Sequence, residues 1–212
     1  MSVSSSSEQS QTPLLKRVLD RFRREHGDSG PAGPAALSLR LALRRLWSDH
    51  VIWTREYVVA AIANSPDTQA VAGRLMKNQE DIGNAIVPLY GEDAGKALTD
   101  LLKQHIGIAV DLIEAAKSGD QTKFAEADKR WDHNASDIAA FLSAANPHWR
   151  EQDVVDLLSQ HLALTKDEAT ARLEQRWEDD QEAFDQIFTE ILTVSDVLAA
   201  GIIKQFPDKF SS

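Results

Sequence analysis

Between residues 37 and 205 the apolar side chains recur at spacings of three and four in six long stretches, with breaks of only a few residues between them. Nothing in this span alternates as a half-buried strand would, so the periodicity restricts the chain to packed helices. It predicts helices at about 37–63, 67–87, 92–117, 121–144, 150–163 and 166–205. The breaks carry matching chemistry. NSPD (64–67) supplies a cap and a first-turn proline, Pro88 with Gly91 closes the second helix, SGD (118–120) is a glycine stop followed by an N-cap, and NP (146–147) ends the fourth. TKDE (165–168) matches a capping box, with Thr165 as cap and Glu168 three residues on. Long helices joined by short connections imply antiparallel neighbours. The expected fold is all-α, an antiparallel bundle of about six helices.

Residues 37–212 form that expected domain, and residues 1–36 precede it as an appendage. Residues 1–12 are rich in Ser and Gln and are expected to be disordered. PLLKRVLDRFRREHG then places Leu14, Leu15, Val18, Leu19 and Phe22 on one side of a short amphipathic helix, with Lys16, Arg17, Arg21, Arg23 and Arg24 making it the basic segment of the chain. Such an arm either docks on its own domain or touches anionic lipid, nucleic acid or an acidic partner. DSGPAGPAA (28–36) is the expected linker.

Charge and composition narrow the function. Lys and Arg number 23 against 33 Asp and Glu, a net charge of −10 that disfavours nucleic acid and anionic lipid as partners of the whole domain. The absence of cysteine excludes disulfides, thiolate metal sites and cysteine nucleophiles, and suits the cytoplasm. No apolar run approaches the roughly 20 residues of a membrane span, and the N-terminus lacks the pattern of a secretory signal. A soluble cytoplasmic protein is expected. A bundle can complete its burial within one chain or across a two-fold axis, which leaves a homodimer open.

Against this background the titratable residues on the apolar faces stand out. His50 falls in the stripe Leu43, Leu46, Trp47, Thr54, Tyr57, and His105 lies among Leu98, Leu101, Leu102, Ile108 and Leu112. His161 follows Leu157 and Leu158. The three sit in similar blocks, LWSDHVIWTREYV, LKQHIGIAVDLI and LSQHLALTKDEA, with the histidines 55 and 56 residues apart. A second block follows each, LMKNQEDIGNAI, RWDHNASDIAAFL and RWEDDQEAFDQIF, bringing Asn78, Asn134 or Asp180 onto an apolar face. The pattern is that of a helical hairpin repeated three times.

Polar groups buried without partners cost on the order of 1–3 kcal/mol each, so several at one depth must find one another or a ligand. Three outcomes fit. The first is a purely structural hydrogen-bonded layer that fixes which helices face each other. The second is a metal site, with His50, His105, His161 and Asp180 as ligands of Zn, Fe, Mn or Cu and Asn78 and Asn134 orienting them. The third is a small polar pocket. The histidines could equally sit at different levels and never meet. No HExxH is present, and no Glu-x-x-His pair precedes any of the three histidines, which argues against a di-iron carboxylate centre. GxxxxGK[ST], GxGxxG and GxSxG are also absent, so nucleotide-dependent chemistry has no residue-level support.

The segments WSDHVIWTREYVVAAI, NQEDIGNAIVPLYG, FLSAANP and IIKQFPDKF resemble, in order, recurrent motifs of a family of small all-helical bacterial proteins without an established activity, some of which carry transferase-like or kinase-like labels. The resemblance spans about residues 37–210. It implies an all-α fold and a bacterial cytoplasmic setting, and transfers no catalytic residue. The expectation is therefore a bundle protein that binds a metal ion through core histidines. The alternative is a cofactor-free interaction or stress-associated scaffold that recruits a protein partner, and the third is a metal-dependent enzyme acting on a small molecule.

Overall fold

The structure is a computed structural model, and it describes residues 33–211. The serine-rich start, the basic amphipathic helix and most of the expected linker lie outside the described residues.

Seven helices follow one another: α1 Pro34–Ala63, α2 Thr68–Tyr90, α3 Glu92–Ser118, α4 Gln121–Ala145, α5 Glu151–Leu173, α6 Trp177–Gln205 and the short α7 Pro207–Phe210. No strand occurs among the described residues. Helix α1 begins three residues before the expected boundary because Pro34, first in the helix, has a preset φ and no N–H to leave unpaired. It stops at Asn64 in the left-handed conformation (φ 54°), where Ser65 N–H closes onto Ala60 O. Gly119 (φ 72°) ends α3 in the same manner, and Asp120 Oδ1 accepts from Lys123 N–H to cap α4, as its sequence implied.

Two expected helix ends are wrong. Helix α2 runs through Pro88, which lies inside it, and stops at Tyr90, before Gly91. The capping box at Thr165 does not start a helix, because α5 runs through it to Leu173. Thr165 Oγ1 donates to His161 O one turn back, and Glu168, which would have closed the box, instead accepts from Arg55 across the bundle. Burial of Leu162, Leu164, Ala169 and Ala171 carries the α5 stripe past the supposed break. The chain turns at 174–176, where Gln175 takes φ 58° and Arg176 N–H reaches Ala171 O. No glycine or proline marks that turn.

Each helix packs on the next, and α6 packs back on α1, so the six long helices form a closed ring of neighbours. An even number lets every neighbour in that ring run antiparallel. The odd-numbered helices α1, α3 and α5 also meet one another across the middle. Helices α2 and α3 approach most closely at Gly83 and Gly95, where a Cβ built on Gly83 would stand 2.6 Å from Gly95 O. Helix α6 is long and apolar enough to cross a bilayer, contrary to the expectation that no segment is, yet 61% of that apolar window is buried inside the bundle. It contributes one face to the core, with Ile187, Ile191, Val194, Leu198 and Ile202 in the main hydrophobic cluster.

Candidate functional site

The ring brings His50 on α1, His105 on α3 and His161 on α5 to the middle of the bundle, all of them buried. The rings of His50 and His161 lie 5.8 Å apart between centroids. Each histidine faces a polar residue on the following helix. His105 Nδ1 lies 2.8 Å from Asn134 Oδ1, and His161 Nδ1 lies 2.9 Å from Glu190 Oε2, both pairs separated by 29 residues. The same step from His50 leads to Gln79 (79 − 50 = 29), which does act on that ring. The contact is looser there: among the described residues, neither His50 Nδ1 nor Gln79 Oε1 has a hydrogen-bond partner.

Asn134 is itself held in place by two hydrogen bonds. Its Nδ2 donates to Leu101 O (3.2 Å) and Gln104 Oε1 (3.3 Å), which leaves Oδ1 turned to His105. In the first hairpin two residues share these tasks. Asn78 Nδ2 donates to Leu46 O (3.0 Å), four residues before His50 just as Leu101 is four before His105. Asn78 Oδ1 accepts from Gln79 Nε2, which also donates to Leu75 O. Asn78 therefore orients His50 only through Gln79. Gln79 and Glu190 are the members of the layer that the sequence reading missed, and a constant step of 29 residues from each histidine was the signal that marks them.

Asp180 does not join the histidines. Its carboxylate accepts from Arg55 Nη1 (2.9 Å) and Nη2 (3.1 Å) and from Arg172 Nη1 (3.1 Å), and Arg55 also binds Glu168 Oε1 (2.6 Å). The third hairpin misled because RWEDD resembles RWDHN while the layer member lies ten residues further on, at Glu190. Burial outweighs Arg55 in raising the Glu168 carboxyl to about 7. Among the described residues, no three His, Asp or Glu side chains are grouped so as to hold a metal ion.

Burial, aided by the positive field of the neighbouring imidazoles, pushes the pKa of His50 well below its ordinary value. Burial likewise lowers His105 to about 4, against the opposing hydrogen bond of Asn134. Both rings are neutral at pH 7.

A cavity of about 60 Å³ starts at this layer. Several times the 10–15 Å³ that one water needs, it can hold a small organic molecule. On α1, α3 and α5 the histidine is the last lining residue, and Trp47, Leu102 and Leu158 line it from the preceding turn. On α6 lining begins at Glu190 and continues through Ile191, Val194 and Leu198. The three histidines and Glu190 therefore make the floor of a cavity whose walls are aliphatic and aromatic. The Arg55–Glu168–Asp180 network lies on the other side of that floor. At the far end Tyr90 OH donates to Gln205 Oε1 (2.7 Å) and accepts from Asn146 Nδ2 (3.0 Å), while the Phe206 ring stands edge-on to Tyr90.

The chain matches no protein-family profile, no curated protein and no solved structure. The functional reading therefore rests on the geometry of the floor and cavity.

Proposed function

We propose that the protein binds a small, largely apolar molecule inside the bundle, with the polar end of that ligand held at the floor of His50, His105, His161 and Glu190. The observation that carries this reading is the cavity itself: apolar walls ending on one cluster of oriented polar groups, the usual composition of a ligand pocket. A purely structural layer would be expected to satisfy its own members, whereas Glu190 Oε1 is buried without a partner. A cytoplasmic setting fits the absence of cysteine.

Thermal unfolding with short-chain alcohols and alkylbenzenes tests it. A ligand that binds only the folded chain raises the midpoint with its concentration, by about 2.7 kcal/mol of stability at one hundred times Kd. Ile191→Phe, which fills the wall above the floor, should abolish the upshift. If no member of the panel shifts the wild type, the cofactor-free scaffold becomes the better account, with the layer serving only to fix helix pairing.

A metal ion held by His50, His105 and His161 is the second reading, and one observation favours it. Nδ1 of both His105 and His161 is anchored by an oxygen, the arrangement that orients imidazoles for ligation through Nε2. It requires the rings to draw closer than they stand. Stoichiometric Zn, Fe, Mn or Cu in protein purified without chelator, lost in His105→Ala, would establish it and would reopen metal-assisted chemistry on a small molecule.

A further inference from the structure

Resting on the interior-binding reading, we infer that the ligand's polar end is a protonated amine: the floor presents hydrogen-bond acceptors, Nε2 of His50 and His105 and Oε1 of Glu190, to an alkyl- or arylammonium group.

The tautomers follow from the carboxamides. Asn134 spends its NH₂ on Leu101 O and Gln104 Oε1, so the atom facing His105 is an acceptor and His105 Nδ1 must carry the proton. Asn78 gives its NH₂ to Leu46 O, and Gln79 gives its own to Leu75 O and Asn78 Oδ1, which leaves Gln79 only Oε1 for His50. Glu190 offers His161 nothing but acceptor oxygens. His105 and His161, when neutral, therefore have N–H on Nδ1 and the lone pair on Nε2, and the acceptor that Gln79 keeps free favours the same tautomer for His50 without a formed hydrogen bond. Among the described residues, none hydrogen-bonds to Nε2 of any of the three.

A second observation is independent of the rings. Glu190 has no exposed surface, lines the cavity, and leaves Oε1 without a partner. A buried ammonium is tolerated only where it meets an opposite charge and enough acceptors, and this floor supplies both. An ammonium brings three N–H donors that reach acceptors at ordinary hydrogen-bond distance, so it fits rings too widely spaced to share one metal ion. A carboxylate ligand would face lone pairs and a like charge. Among the described residues, the unpartnered donors of the side chains that line the cavity are all neutral: Nδ1–H of His50 and the indole N–H groups of Trp47 and Trp149, the last pressed against Gly201 at the far end. None of them brings the positive charge that an anion would need beside the Glu190 carboxyl.

Calorimetric titration of the full chain at pH 7 with n-hexylamine, 1-hexanol and hexanoate separates the possibilities, since the three share an apolar tail. The expected order is amine first, by about tenfold over the alcohol, with the acid weakest. Glu190→Gln should keep the alcohol and lose the preference for the amine. If the alcohol or the acid binds as well as the amine, the cationic head group is overturned while interior binding stands. If none of the three binds, both readings fall. Should Glu190→Gln not fold, the wild-type ranking alone decides.

Discussion

At the scale of single residues, the buried histidines make stability depend on pH in a direction that can be worked out. His105, lowered to about 4 from its ordinary 6.5, stays neutral in the fold while the unfolded ring takes up a proton. Its contribution is complete above about 6.5 and is lost as pH falls towards 4, and His50 acts in the same sense. Glu168, raised from 4.5 to about 7, opposes them: its contribution is complete below 4.5 and is lost as pH rises towards 7. Each proton bound differently by the two states is worth about 1.4 kcal/mol per pH unit. His105→Gln removes one such difference. Urea titrations between pH 4.5 and 6.5 should show its stability rising with pH less steeply than the wild type, by up to that amount, and equal slopes would place His105 outside the core. Periodicity identified the three histidines because an apolar stripe displays any polar interruption. It did not identify Glu190, although that residue interrupts the apolar run of Ile187, Phe188, Ile191 and Leu192, because the likeness of RWEDD to RWDHN assigned the polar position of the third hairpin to Asp180.

At the scale of elements, two contacts decide how the helices meet. Arg55 of α1 reaches Glu168 of α5 and Asp180 of α6, and its guanidinium also covers the Phe184 ring. Removing it leaves two carboxylates buried against each other, so Arg55→Met should lose about 3–5 kcal/mol in denaturant titrations, with part recovered on adding Glu168→Gln. Full stability in the single variant would mean that Arg172 alone compensates both acids. The α2–α3 crossing depends instead on an absence of side chain. Ala at Gly83 would collide with Thr99 Oγ1, which can rotate away, and with Gly95 O, which cannot. Gly83→Ala is expected to cost about 1–3 kcal/mol, read from the same titrations, whereas Gly73→Ala, which has open space, should be neutral or slightly stabilising. Four of the six long helices, α1 to α4, were legible to within three residues at each end from spacing and from glycine, asparagine and proline at their ends. The α5–α6 turn was not, because a left-handed glutamine leaves no compositional mark and Thr165–Glu168 imitates a cap while serving tertiary contacts.

At the scale of the whole molecule, closing six helices into a ring creates an interior that side chains need not fill. The odd-numbered helices meet at the centre and bring the histidines together, and the even-numbered helices supply Gln79, Asn134 and Glu190 behind them. The threefold repetition in the sequence thus becomes a threefold arrangement around one floor. Sequence alone left open whether the histidines share a level, since helical spacing fixes the face of a residue but not its height relative to another helix. The most direct test of the account is a long-range ¹⁵N–¹H spectrum of the histidine rings at pH 7, with and without n-hexylamine. The account predicts Nδ1–H tautomers for the neutral His50 and His105 rings and Nε2 resonances that move when the amine is added. Nε2–H tautomers, or Nε2 resonances indifferent to any ligand bound in the interior, would contradict it.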